Sequence, residues 1–255
     1  MAAMRRGGRA RAAAAPLLVL LCLGVGCGGG SANPSGTTPG LLVAFAVTDQ
    51  QLGLSGGNPA LLVFFADPQG VASGGFELAT STGGGSFTVV AGLQPQQIGG
   101  AQLFALQPVP ATLTFVRVEA AASAGGRVVS NAIRFDPAVQ PTSLLGHDPN
   151  GATVPTTPQL RWDDSGQPRH AVFVVEGNTL AGLRVLLTMP AEGANPTETL
   201  DLAQPLPPAG GVEFRPSLVP LNGGGTQHFW TVLGLDASGA TLADSGGAFV
   251  PFTTQ

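Results

Sequence analysis

Between residues 41 and 135 the apolar positions fall into short runs: LLVAFAV, ALLVFFA, SFTVVAGL, AQLFALQ, ATLTFVRVEA and NAIRF. Most are 5–8 residues long, rich in Val, Phe, Leu or Thr, and separated by turn signals such as SGGNP, DPQG, TGGG and SAGG. In VRVEA, Val116, Val118 and Ala120 share one face of an extended chain while Arg117 and Glu119 share the other, the alternation of a half-buried strand. No stretch sustains a 3.6-residue apolar period over a helical length. From about Ala138 to Gln255 the same grammar repeats, with HAVFVVEG and AFVPF among its strands. The pattern predicts an all-β chain of two tandem β-sandwich domains of ~100 residues each, 41–137 and 138–255.

The first forty residues follow different rules. Arg5, Arg6, Arg9 and Arg11 form a positive segment, followed by an apolar run from Ala12 to Val25. That run is shorter than the ~20 residues needed to cross a bilayer core and suits a secretory signal peptide, assigned to residues 1–26. Leu23-Gly24-Val25-Gly26-Cys27 resembles a bacterial lipobox, which implies that Cys27 is lipidated and becomes the mature N-terminus. Cys27 has no cysteine downstream of it, so it has no disulfide partner within the mature chain. Several acyl chains give a stable anchor where one does not. Gly28 in place of an aspartate implies, by the same resemblance, sorting to the outer membrane or cell surface rather than the inner membrane. Residues 27–40, dominated by Gly, Ser, Thr and Pro, read as a flexible tether.

From Cys27 onward seven arginines face fifteen acidic residues, a net charge of −8 against −4 for the whole chain. Such a surface repels nucleic acid phosphates, and no basic patch offsets it. The chain has no lysine and no tyrosine, which excludes Schiff-base chemistry and a phosphate loop of the usual kind. An apolar content of 44% is enough to bury cores, so the chain is not a disordered one.

Within 138–255, PNGATVPTTPQLRW resembles the opening of a fibronectin type III or related immunoglobulin-like domain, and TQHFWTVLGLDASG resembles its late strand. The resemblance implies that Trp162 is the core tryptophan of the second strand. It matches Thr226, Trp230, Val232, Asp236 and Gly239 to the late-strand pattern, with His228 where the family has a tyrosine. His228 would then hydrogen-bond nearby backbone, and Trp162, Trp230 and Val232 would be structural core. In 41–137 the segment VRVEAAASAGGRVVSNAIRF has a similar ending but no core tryptophan.

Several residues carry candidate chemistry. ADSGG, residues 243–247, resembles the nucleophile run of trypsin-like proteases, which would make Ser245 the nucleophile beside Gly246 and Gly247. Such catalysis needs a histidine base held by a buried aspartate. His147, His170 and His228 lack the flanking residues of that base, and the ten residues after Ser245 leave no room for the rest of such a barrel. The segment reads as a turn into a last strand. The three histidines also lack a short metal-ligand spacing. Asp163 and Asp164 point to opposite faces if their strand continues, and cap a turn if it has ended. Asp136, Asp148 and Asn150 offer oxygens for calcium at the domain junction, while Asp148-Pro149-Asn150-Gly151 is also a turn tetrad with proline second.

No acid, base and nucleophile set is evident, and no cofactor or metal is called for. The expectation is a non-catalytic binding, adhesive or scaffolding protein, anchored to the membrane by its N-terminal lipid and directed to an envelope protein or glycan partner rather than nucleic acid. The alternatives are a carbohydrate- or peptidoglycan-binding lipoprotein, for which only some of the 13 Phe could supply an aromatic platform, and, more remotely, a hydrolase.

Overall fold

The computed structural model describes residues 37–54, 58–193 and 195–255, with side chains from residue 42 onward. The signal segment, Cys27 and most of the tether lie outside the described residues. The described residues are all-β apart from one short 3-10 turn, Leu180–Gly182.

The first half contributes β1 (Thr37–Thr48), β2 (Leu61–Ala66), β3 (Ala72–Ser81), β4 (Thr88–Val89) and β5 (Gln96–Ile98). It continues with β6 (Ala101–Leu106), β7 (Thr114–Ala122), β8 (Arg127–Ser130) and β9 (Ile133–Phe135). These nine form one curled sheet in the order β4-β3-β7-β8-β1-β2-β6-β5, with β9 on β7. The curl turns on β1. It runs parallel to β8 up to Leu42 and antiparallel to β2 from Val43, with a register shift between Pro39 and Leu42. β1 thus begins within the stretch read as tether.

The second half supplies β10 (Thr142–Ser143), β11 (Thr153–Val154), β12 (Gln159–Asp163), β13 (Arg169–Glu176) and β14 (Leu183–Pro190). After these come β15 (Thr197–Asp201), β16 (Val212–Glu213), β17 (Gln227–Leu235), β18 (Thr241–Asp244) and β19 (Val250–Thr254). A larger sheet runs β10-β18-β17-β13-β14-β16, extended by β19 and β11, and β12 pairs only with β15.

Side-chain alternation then stacks these sheets in four layers around three cores. On β1 and β2, Leu42, Ala44, Ala46, Leu61, Val63 and Phe65 face β3 and β7, meeting Leu78, Val116 and Val118. The residues between them, Phe45, Val47, Leu62 and Phe64, point the opposite way. There they meet Ala171, Phe173 and Val175 of β13 and Leu233 and Leu235 of β17. The other faces of β13 and β17, with Val172, Val174, Trp230 and Val232, pack onto Leu160, Trp162 and Leu200 of the β12–β15 pair.

The middle core belongs to both halves. Phe45 stacks on Phe64 at 5.1 Å between ring centroids and meets Phe173 and Phe214 edge-on at 6.0 and 4.9 Å. The sheets divide between Phe135 and Thr142, near the expected boundary, yet the two halves form one compact unit. Strands buried on both faces have no solvent side to mark with polar residues, so LLVFFA and AVFVV are apolar throughout.

Two local expectations change. SFTVVAGL yields only the two-residue β4, because Phe87 lies in a loop beneath the Arg117 guanidinium, 4.0 Å from its ring centre. Glu119, on the polar face of β7, is only 7% exposed, and its charge is balanced by Arg117 at 2.7 Å and Arg127 at 3.0 Å.

Candidate functional site

Ser245 lies between β18 and β19. Its Oγ is 2.6 Å from the Ala248 carbonyl, which only accepts, so the serine proton is committed there. The Thr231 hydroxyl, also at 2.6 Å, therefore donates to Ser245. No histidine is among its hydrogen-bond partners, and the hydroxyl holds a turn.

The glycines after it have a separate purpose. Gly246 and Gly247 have φ of +71° and +72°, where other residues are strained. A Cβ on Gly247 would stand 2.7 Å from the Gln50 carbonyl oxygen, and one on Gly53 would overlap the Gly247 carbonyl. Two turns, one from each half, thus touch backbone to backbone. Further bonds join the halves beside this contact. Ala46 donates its N–H to the Gly239 carbonyl at 2.9 Å, and the Thr241 hydroxyl donates to the Ala46 carbonyl at 2.8 Å. The Asn131 amide, bonded to the Ala44 carbonyl of its own half at 2.8 Å, donates across to the Ser238 carbonyl at 2.5 Å.

Trp162, Trp230 and Val232 are fully buried in the second-half core, and the two indoles lie 6.2 Å apart. The Trp230 indole N–H donates to the Pro149 carbonyl at 2.9 Å. That contact bears on the tetrad read as a turn. Gly151 donates its N–H to Pro251 rather than to Asp148, whose carbonyl takes the Arg161 N–H. The segment is an irregular loop pinned to the core, not a closed four-residue turn.

The histidines serve different partners. His147 sits edge-on to Trp230 at 5.0 Å, and burial lowers its pKa against the opposing charge of Asp163. His170 is fully buried beside Trp162, with Nε2 3.2 Å from the Ser165 hydroxyl, and burial drives its pKa down to about 4. His228 Nε2 donates to the Asn222 carbonyl at 3.1 Å, the backbone bond expected of a residue in the tyrosine position. β12 ends at Asp163, and Asp164 accepts the Gly166 N–H at 2.9 Å as a turn cap. Asp136 accepts from Ala138 and Arg134. Among the described residues no group of three or more His, Cys, Asp or Glu is placed to hold a metal ion.

None of the thirteen Phe is exposed; among the described residues Val139, Leu145 and Leu218 are the exposed large apolar ones. A cleft of about 530 Å³ lies at the junction, formed by the linker after β9, the turn after β1 and the Ala240–Gly247 segment. Asp136, Asp236, Asp244 and Arg134 supply its charges. Asp244 is 8% exposed, and burial raises its pKa, partly offset by a hydrogen bond from the Gly246 N–H at 2.7 Å. Asp244 entered the sequence reading only as part of ADSGG. Nothing in its local sequence marks a cleft, because the other walls lie some hundred residues and more away.

No family model matches the chain, and no curated protein matches it. Among solved structures it is similar over 84% of its length to a tetra-tandem repeat in the extending region of a large adhesion protein, with 14% identity and a TM-score of 0.23. It is also similar over 76% of its length to the FN1–FN3 domains of chicken CNTN1, with 9% identity and a TM-score of 0.20. The chain spans 48% and 62% of those two chains. Superpositions this loose carry no functional argument.

Proposed function

We propose that this chain is a lipid-anchored protein of the bacterial cell envelope with a binding, adhesive or scaffolding role and no catalytic one. The observation that carries the reading is the middle core. Two β-sandwich halves that share Phe45, Phe64, Phe173 and Leu233 cannot hinge independently, so the body holds its outer faces at a fixed separation and angle. Rigidity of that kind suits presentation of a surface on a tether. The nucleophile-like serine supports the same reading, since its proton is committed to a turn.

The lipid anchor rests on the lipobox-like run ending at Cys27, and its test is separate. Replacing Cys27 with Ala should leave a larger precursor that incorporates no labelled fatty acid; normal processing would refute the anchor. Protease treatment of intact against lysed cells then tests placement. Digestion on intact cells supports a surface-adhesive role, and protection until lysis supports a periplasmic scaffold.

A further inference from the structure

We propose that the junction cleft binds an elongated organic cation, an alkyl chain ending in an ammonium or guanidinium group, carried by a free amine or by a basic side chain of a partner protein. The inference stands whether or not the chain is lipid-anchored. At about 530 Å³ the cleft is within the range of small-ligand sites.

Its chemistry is one-sided. Asp244, Asp236 and Asp136 face Arg134, the only cation in the lining. Asp136 and Arg134 already pair at 3.1 Å. Asp236 Oδ1 accepts from the Ser238 N–H, the Ser238 hydroxyl and the Ala240 N–H at 2.8, 2.7 and 2.9 Å, while its Oδ2 takes no bond from the described residues. Asp244 is the decisive group. It is more than nine-tenths buried, its Oδ1 takes the Gly246 N–H, and its Oδ2 has no hydrogen-bond partner among the described residues. A carboxylate this enclosed is costly without a compensating charge, and the open side available to it is the cleft.

The chain contains no lysine, and Arg134, its cation in the cleft, is paired with Asp136, so the complement to Asp244 comes from outside. It is also not a single small metal ion, since the three carboxylates are not grouped for one. Carboxylates spread along a cleft with Val139 and Leu242 in its walls match a cation with length and an apolar stem.

The test is calorimetric titration of the full chain at low salt with 1,5-diaminopentane, with acetyl-lysine-methylamide, and with the Nε-acetylated form of the latter. The expected result is saturable binding of at least one cation, no binding of the neutral form, and affinity about tenfold lower in Asp244→Asn. Tighter binding of the diamine identifies a free amine as the occupant, and tighter binding of the capped lysine identifies a partner side chain. Asp136→Asn, at the cleft rim, should weaken binding by about threefold, and it decides the question if Asp244→Asn fails to fold. Absence of saturable binding by either cation, equal binding of the neutral form, or unchanged affinity in the folded variants overturns the proposal.

Discussion

The middle core makes a prediction that the placement of the tryptophans renders easy to read. Phe45 belongs to the first half, is 1% exposed, and touches the rings of Phe64, Phe173 and Phe214. Replacing it with Ala removes a large buried side chain and leaves a cavity between two sheets held on both sides, where collapse is restricted. The expected loss is about 3–5 kcal/mol. With a urea dependence of about 3 kcal/mol per molar, that lowers the unfolding midpoint by about 1–1.7 M. Both tryptophans, Trp162 and Trp230, lie in the second half, in a different core from Phe45. Indole fluorescence therefore reports the second half alone, while far-UV circular dichroism reports both. If the halves share one cooperative core, the two transitions coincide in the wild type and move together in Phe45→Ala. An unchanged fluorescence midpoint beside a lowered dichroism midpoint would refute the shared core.

Other perturbations separate the remaining assignments. Gly53→Ala should be strongly destabilising, because its φ is +65° and a Cβ would overlap the Gly247 carbonyl, whereas Ser245→Ala removes the turn bond to Ala248 and the acceptor of the Thr231 hydroxyl and should cost about 1–2 kcal/mol by urea melt. Comparable midpoints for the two variants would contradict the backbone contact. Trp162→Ala should cost about 3–5 kcal/mol, and a variant with the wild-type midpoint would remove Trp162 from the core. His170 has a native pKa of about 4 against 6.5 in the unfolded chain, so the unfolded state takes up its proton first as pH falls. Stability from this group is intact above pH 6.5 and lost on the way to pH 4, by up to roughly 3 kcal/mol. The wild-type midpoint should therefore drop more steeply than that of His170→Gln between pH 7 and 4.5, and parallel profiles would show that the imidazole is not held neutral.

Much of the fold was legible in the chain. The short apolar runs became strands, and Val116, Val118 and Ala120 alternate inward as their spacing requires. What the pattern also contained, and the tandem-domain expectation did not use, was the absence of alternation in LLVFFA and AVFVV. An exposed sheet face writes polar residues at every second position, and a strand enclosed on both sides writes none. Five consecutive buried residues in β2, and six in β13, are the trace of a third core between the halves. Burial on both faces is a property of the strand and can be read locally. Which sheet supplies the second cover is a property of the topology, and no local pattern carries it.

The candidate site was less legible for the same physical reason. ADSGG raised a question of chemistry whose answer is geometric: the serine ties a turn, and the glycines let that turn meet residues 50–53 without a side chain between them. That close contact helps bring Asp244 and Gly247 against the linker carrying Arg134 and Asp136, closing the cleft. Asp136 is an oxygen donor at the junction, but Asp148 and Asn150, the partners expected for it, do not line the cleft; Asp148 pairs through its backbone with Arg161. The charges that join it, Asp236 and Asp244, lie about a hundred residues further along the chain. Sequence spacing can place two ligands on one helix or strand; it has no means of placing two turns from different sheets. The acidic cleft is thus a product of the shared core: loosening the contact between the halves should open it. Phe45→Ala, if it remains folded at low temperature, should therefore bind the organic cation more weakly although Phe45 does not line the cleft, and undiminished binding would show that the cleft is held by the turns alone.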